Sequence, residues 1–253
     1  MISPSDGLFL LGAGVLAGIV GTAGGITSLI SYPALLAVGL PALLASKTNI
    51  VALVACWPGS ALASKLELSG KGPWLRRWVL VVAAGGVVGS ALLLSTPAGV
   101  FSKVVPFLLV VAAVSLLLQP RMSRWQEKHQ KRGDRFLLPC GLFSMSAYNG
   151  YFGAGSGVMI LALLLVTEDE NIARANVLKN MLVGVATAIS ALAFIVFGRV
   201  AWDAVAPLAI GGFAGSTVGP AVARRIPGDI LRWLVAFVGV AVAVRMWIVS
   251  GQA

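Results

Sequence analysis

The sequence predicts an all-α, polytopic membrane protein of about eight transmembrane segments, arranged as a two-fold internal repeat whose first segment is broken in each copy. Three observations predict it. Of 253 residues, 58% are hydrophobic and only 11% charged, where a soluble domain carries about a quarter charged residues. The apolar residues are gathered into runs such as Trp78–Leu94, Val104–Leu118 and Leu231–Val249, each approaching the ~20 residues that cross a ~30 Å hydrocarbon layer. Finally, a set of glycine and proline signatures recurs, in order, half a chain later.

Taken along the chain, the first segment is Leu8–Gly39, with Gly21-Thr22-Ala23-Gly24-Gly25 near its middle. A straight helix of that length would run ~45 Å or more. The expectation is two half-helices of ~13 residues that enter, turn at the glycines and leave on the same side. A long, tilted, kinked helix is the alternative. The second segment starts near Pro41 and carries Lys47-Thr48-Asn49; Trp57-Pro58-Gly59-Ser60 interrupts it, read as a proline kink with Trp57 available to wall a cavity. Lys65, Lys71, Arg76 and Arg77 precede the third segment, where Gly85, Gly86 and Gly89 read as helix-packing glycines. An uncharged turn, Ser95–Gly99, leads to the fourth.

The second unit repeats this plan. Leu137–Thr167 holds Asn149-Gly150-Tyr151-Phe152-Gly153-Ala154-Gly155-Ser156-Gly157, matching the first glycine cluster. Lys179-Asn180, in a segment starting near Glu170, matches Thr48-Asn49. Gly211-Gly212-Phe213-Ala214-Gly215-Ser216 matches Gly85–Ser90, and Pro227 matches Pro97. All fall at offsets of about 126 to 132. The whole of 1–253 is therefore one membrane domain, with units 1–119 and 137–253 joined by a basic linker over 120–136. Basic loops face the cytoplasm, which puts Gln119–Arg135 inside and Ser95–Gly99 outside. If Arg224-Arg225 also lie inside, the second unit is inverted relative to the first; otherwise the repeats are parallel.

The net charge of +10 belongs to these loops and to lipid headgroups, so no nucleic-acid partner is expected. No cleavable signal peptide is expected at Met1–Gly7. Cys56 and Cys140 lack CxxC spacing and read as buried thiols. No metal site and no cofactor is implied, and the one histidine, His129, lies in the linker. Trp74, Trp78, Trp202, Trp233 and Trp247 read as interfacial anchors.

Two features carry chemistry. A helix restarting after a glycine break points unpaired N–H groups and its positive dipole end into the gap, which suits an oxyanion. Thr48 and Lys179 each fall ~12–14 Å inside their segments at 1.5 Å per residue. All nine acidic residues map to ends or loops, so a lysine at that depth invites an anionic ligand. The candidate substrate-binding set is Gly21, Thr22, Ala23, Gly24, Gly25, Lys47, Thr48, Asn49, Trp57, Asn149, Tyr151, Gly153, Ala154, Gly155, Ser156, Gly157, Lys179 and Asn180. No catalytic residue is expected: there is no intramembrane Asp pair, Ser–His arrangement or HExxH.

Through Gly21-Thr-Ala-Gly-Gly, Thr48-Asn49 leading into Trp57-Pro-Gly-Ser, Gly150-Tyr-Phe-Gly-Ala-Gly-Ser-Gly, and Ala173-Arg-Ala-Asn176-Val-Leu-Lys-Asn180, the chain resembles the sulfite exporter TauE/SafE family, also called the toluene sulfonate uptake permeases. The resemblance implies duplicated four-segment units in a bacterial inner membrane and movement of sulfite or related organosulfur anions. The expected function is a secondary transporter of a small anion working by alternating access, with its site near the bilayer midplane. An anion channel, or a carrier of a non-sulfur carboxylate, is the alternative. Expected partners are the solute and the lipid bilayer, with a homo-oligomer also compatible.

Overall fold

The structure, a computed structural model, describes residues 2–64, 70–128, 136–168 and 172–223, together with positions 236, 237, 239–241, 244 and 247. Lys65, Glu67, His129, Lys131, Arg132, Asp134, Arg135, Asp169, Glu170, Arg224, Arg225, Pro227, Asp229, Trp233 and most of Leu231–Val249 lie outside the described residues.

The first helix, α1 (Pro4–Gly24), begins four residues before the apolar run. Ser3 is the reason: its Oγ accepts from the Asp6 N–H at 3.1 Å, and Asp6 Oδ2 accepts from the Ser3 N–H at 3.2 Å. This reciprocal pair, with Pro4 in the first turn, satisfies donors that a helix start leaves orphaned. The helix stops at Gly25, whose φ of 74° is left-handed and whose N–H bonds the Gly21 carbonyl at 2.7 Å. α2 (Ser28–Ala37) follows after a three-residue break. The expected halves of ~13 residues are thus unequal in the first unit, 21 and 10 residues, because the cap extends the first helix at its start and the helix runs on through Gly21–Gly24 before it stops.

Pro41 precedes α3 (Ala42–Leu53), and α4 (Cys56–Ala63) continues it after an interruption at Val54-Ala55. The break falls just ahead of Trp57-Pro58: proline has no N–H to return to the carbonyl of Val54, so the ladder opens one turn before it. α5 (Gly72–Ser95) starts with Pro73 in its first turn, and α6 (Ala98–Lys128) follows Pro97. α6 runs through the first nine residues of the expected linker, which is therefore helical up to Lys128.

In the second half come α7 (Leu137–Tyr151), α8 (Ser156–Thr167), α9 (Ile172–Phe197) and α10 (Trp202–Ala223). Helix, break, helix thus recurs at 25–27 and 152–155. Every regular element among the described residues is a helix. Five stretches among them are long and apolar enough to cross a bilayer, namely Pro4–Thr22, Ala42–Ala63, Gly72–Ser95, Ala98–Leu118 and Ile172–Phe197. α2 and α8 are shorter apolar helices. Large apolar side chains such as Leu80, Leu192, Phe197, Ile210 and Phe213 are exposed on the outer surface, the side that hydrocarbon solvates. The fold is that of an all-α polytopic membrane protein.

Small residues set the packing. A Cβ on Gly85 would lie 2.5 Å from the Phe143 carbonyl and 3.0 Å from the Ala147 N. α5 and α7 therefore meet backbone to backbone, as small-residue interfaces permit. On α10, Gly211 approaches the Leu11 carbonyl and the Val15 N of α1 in the same way. The two crossings correspond: Leu11 and Val15 precede Phe143 and Ala147 by 132 positions, and Gly85 precedes Gly211 by 126. Each first helix packs on the other half's third-segment helix, and this exchange brings the two breaks together. Cys140 is exposed and Cys56 half-buried, so the expectation of two buried thiols is corrected: Cys140 sits one turn into α7, on its outward face.

Candidate functional site

The two breaks touch. A Cβ on Gly25 would lie 2.7 Å from the Gly157 carbonyl carbon, and one on Gly157 would lie 2.7 Å from the Gly25 Cα. Nothing larger than glycine fits on either side. Helices α2 and α8 both restart from these breaks, and neither carries a side-chain cap on its first turn. Gly155, at φ 79°, turns the chain into α8. Within the breaks, carbonyls take most of the first-turn donors: Ile26 and Thr27 accept from the Leu29 and Ile30 N–H groups, and Gly153 and Gly155 accept from those of Ser156 and Val158. What the two helix starts bring side by side is the positive ends of their dipoles.

A cavity of about 70 Å³ opens at this junction. Gly21, Thr22, Gly25, Thr27 and Ser28 line it from the first break, Asn149, Gly153, Ser156 and Gly157 from the second. Ile50, Leu53, Cys56, Trp57 and Ser60 come from α3 and α4, and Lys179, Asn180, Val183, Gly184 and Thr187 from α9. The described lining contains no Asp or Glu.

Lys179 is 1% exposed. Its Nζ donates to Asn176 Oδ1 at 2.7 Å, one turn back on α9, the direction in which long helical side chains lean. Asn176 Nδ2 in turn donates to the Thr22 carbonyl at 2.9 Å, and Asn180 Nδ2 donates to the same oxygen at 3.3 Å. Thr22 is in the last turn of α1, where the helix has no N–H left to offer its carbonyl. Two asparagines of α9 therefore cap the C-terminus of α1. An ammonium carries three donors and no acceptor; with one on Asn176, the remainder are available at the cavity.

The opposite wall is also ordered by hydrogen bonds. Ser156 Oγ donates to Asn149 Oδ1 at 2.7 Å, and Asn149 Nδ2 donates to Thr187 Oγ1 at 3.0 Å. On α4, Trp57 lies where Gly184 leaves room: a Cβ there would overlap the indole ring. Trp57 Nε1 and the buried Ser60 Oγ have no partner among the described residues. Buried polar atoms normally find one, and both residues line the cavity.

Of the sequence-predicted residues, Gly21, Thr22, Gly25, Trp57, Asn149, Gly153, Ser156, Gly157, Lys179 and Asn180 line the cavity. Ala23 and Gly24 lie in the last turn of α1. The others are placed elsewhere. Thr48 Oγ1 accepts from the Ala201 N–H at 3.1 Å, at the entry to α10. Asn49 is buried with neither amide atom bonded among the described residues, and Lys47 is half-buried within electrostatic reach of Arg199. The Tyr151 ring meets that of Phe101 at a tilt of 60° with centroids 5.9 Å apart, the Ala154 carbonyl accepts from the Tyr148 hydroxyl at 2.7 Å, and Gly155 faces Ala112 of α6.

Sequence reasoning missed Thr27, Ser28, Cys56, Ser60, Gly184, Thr187 and the supporting Asn176. A signal for some was present: Lys179 or Asn180, Val183 or Gly184, and Thr187 follow one another at helical spacing and share a face.

The chain matches the sequence profile described as sulfite exporter TauE/SafE over residues 8–246. It is 27% identical over 244 residues to the probable membrane transporter protein ORF9 of Sinorhizobium sp, covering 94% of this chain and 91% of that protein. It is 25% identical over 249 residues to the probable membrane transporter protein YfcA of Escherichia coli strain K12, covering 97% and 91%. A probable membrane transporter protein of Haemophilus influenzae is 23% identical over 237 residues, covering 92% and 91%. No solved structure matches. A profile match over nearly the whole chain, together with a multi-pass helical fold, places it: the chain belongs to the sulfite exporter TauE/SafE family of membrane transporters.

Proposed function

We propose that the protein is a secondary carrier of a small anion, sulfite or a compact organosulfonate, and that the cavity between the two breaks is its binding site. The observation that carries this reading is the Lys179 ammonium, buried with an amide oxygen as its hydrogen-bond acceptor, in a cavity whose described lining holds no carboxylate. A charge so placed is costly unless a counter-ion joins it. The solute is that counter-ion. The positive dipole ends of α2 and α8 begin beside it, and Trp57 and Ser60, whose Nε1 and Oγ have no partner among the described residues, line the same cavity, an arrangement that favours an anion.

Size narrows the choice. A cavity of about 10–15 Å³ on this measure holds one water, so about 70 Å³ leaves room for a small oxyanion and not for a bulky solute. Ile50, Leu53 and Val183 provide an apolar side for a short organic tail.

Residues 1–119 and 137–253 act as two units of opposed orientation in an inner membrane, with the basic linker cytoplasmic. Their rocking about the Gly25–Gly157 contact exposes the cavity to each side in turn, as broken helices at a repeat interface allow. The exchanged crossings of α1 on α10 and α5 on α7 support the duplication.

The test is a thermal-shift screen of purified protein against sulfite, thiosulfate, sulfoacetate, taurine, sulfate and simple carboxylates. A bound solute raises the unfolding midpoint by mass action. Stabilisation by sulfite or sulfoacetate, and none by taurine, whose ammonium meets only donors, is expected. Stabilisation by carboxylates and by no sulfur anion would reject the solute assignment.

A further inference from the structure

A buried ammonium with no carboxylate partner among the described residues needs something to hold it in place without neutralising it, and Asn176 has the geometry to do so. Its Nδ2 is committed to the Thr22 carbonyl at 2.9 Å. A carbonyl only accepts, so the amide cannot turn over, and its oxygen is fixed towards Lys179 Nζ at 2.7 Å. We infer that Asn176 is the positioning residue of the binding site: its neutral carboxamide orients the Lys179 ammonium and leaves the full positive charge for the solute.

This inference rests on the anion-carrier reading. It adds a residue that does not itself line the cavity and explains the amide at that place. An aspartate of the same shape would bring an internal counter-ion to the same distance, and Lys179 would then be satisfied without solute. An anion entering the site would have to displace a carboxylate that cannot leave. Asn176 joins three parts of the molecule: the ammonium, the C-terminus of α1 and the start of α9. Asn180 also reaches the Thr22 carbonyl, so the α1–α9 junction keeps one tie when Asn176 is changed.

The experiment compares N176D, N176A and N176Q in detergent, with sulfite in oxygen-free buffer as the probe and binding read by calorimetry. N176A loses both hydrogen bonds but adds no counter-charge, so its affinity falls by about ten- to a hundredfold, the worth of one hydrogen bond to a charged group. N176Q keeps a carboxamide and recovers binding to within about threefold of native, near 0.7 kcal/mol. N176D falls at least about tenfold below N176A, because the added effect is electrostatic.

Equal losses in N176D and N176A would reduce Asn176 to a structural tie and overturn the inference, as would native-like sulfite binding by N176D. If N176D does not accumulate in the membrane, the other two variants decide. N176A binding as well as native, or losing affinity only together with a lowered solute-free melting midpoint, overturns the inference; N176A weakened at a native midpoint, with N176Q recovered, upholds it. Native protein that binds no anion would instead overturn the carrier reading itself, an outcome the native control separates from the rest.

Discussion

Lys179 was legible from its position: a basic residue two turns inside an apolar segment, in a sequence whose nine acidic residues fall at ends and loops. Its hydrogen-bond partner was not legible as such, since an asparagine one turn earlier on a helix is unremarkable until the Thr22 carbonyl fixes its rotamer. Thr48 shows the reverse failure. By sequence it pairs with Lys179 across the repeat, yet its hydroxyl is spent on the Ala201 N–H at the start of α10. A hydroxyl in a membrane interior is as ready to satisfy a helix start as to bind a solute. The burial of Lys179 leads to a prediction at this scale. K179M, which keeps the side-chain length and removes the charge, should unfold at a higher temperature than the native protein without solute, by a gain on the order of 1–4 kcal/mol. It should also lose the stabilisation by sulfite. Both are read in one melting experiment, and a K179M protein that melts lower than native and still responds to sulfite contradicts the role given to the charge.

Glycine clusters are cheap signals, and what distinguishes them is the backbone they permit. Gly25 combines a left-handed φ of 74° with a backbone contact across the break, whereas Gly12 has nothing within 4 Å of where a Cβ would stand. G25A should therefore cost at least about 2 kcal/mol, from left-handed strain and overpacking against Gly157. G12A should be neutral or stabilise by up to about 1 kcal/mol, since alanine is the better helix former. Midpoints of thermal unfolding for the two variants, in the same detergent, check the contrast; equal midpoints would mean that the break does not depend on its glycines. The sequence made both breaks legible as glycine-rich centres of overlong segments. It did not make their unequal halves legible, because the Ser3–Asp6 cap that lengthens α1 lies outside the apolar run and the helix runs on through Gly21–Gly24 to stop only at Gly25. The helical course of 120–128 was hidden for a related reason: a polar composition speaks of solvent, not of backbone conformation, and α6 simply continues.

Across the molecule, internal repetition and burial of polar residues describe one arrangement. The exchange of packing partners, α1 on α10 and α5 on α7, makes each half complete only with the other and leaves the breaks in contact at the centre. Fold class was therefore readable from composition and repeats, while the meeting point of the two clusters needed coordinates: offsets along a chain give correspondence, not distance. Orientation is testable at this scale. Gly72 and Gly99 stand in open space near opposite ends of α5, a helix of 24 residues and thus ~36 Å long. In a C140S background, G72C should react with an impermeant maleimide from the cytoplasmic side of inverted vesicles, and G99C only from the other side of intact cells. Labelling of both from one side would contradict a membrane-spanning α5.

The account turns on an anion held between the two breaks against the Lys179 ammonium, and the most direct measurement is anomalous diffraction from crystals soaked in selenite, the heavier analogue of sulfite. The predicted result is one strong selenium peak within hydrogen-bonding distance of Lys179 Nζ, beside the first turns of α2 and α8, absent from K179M crystals. A selenium peak elsewhere in the protein with the central cavity empty would contradict it.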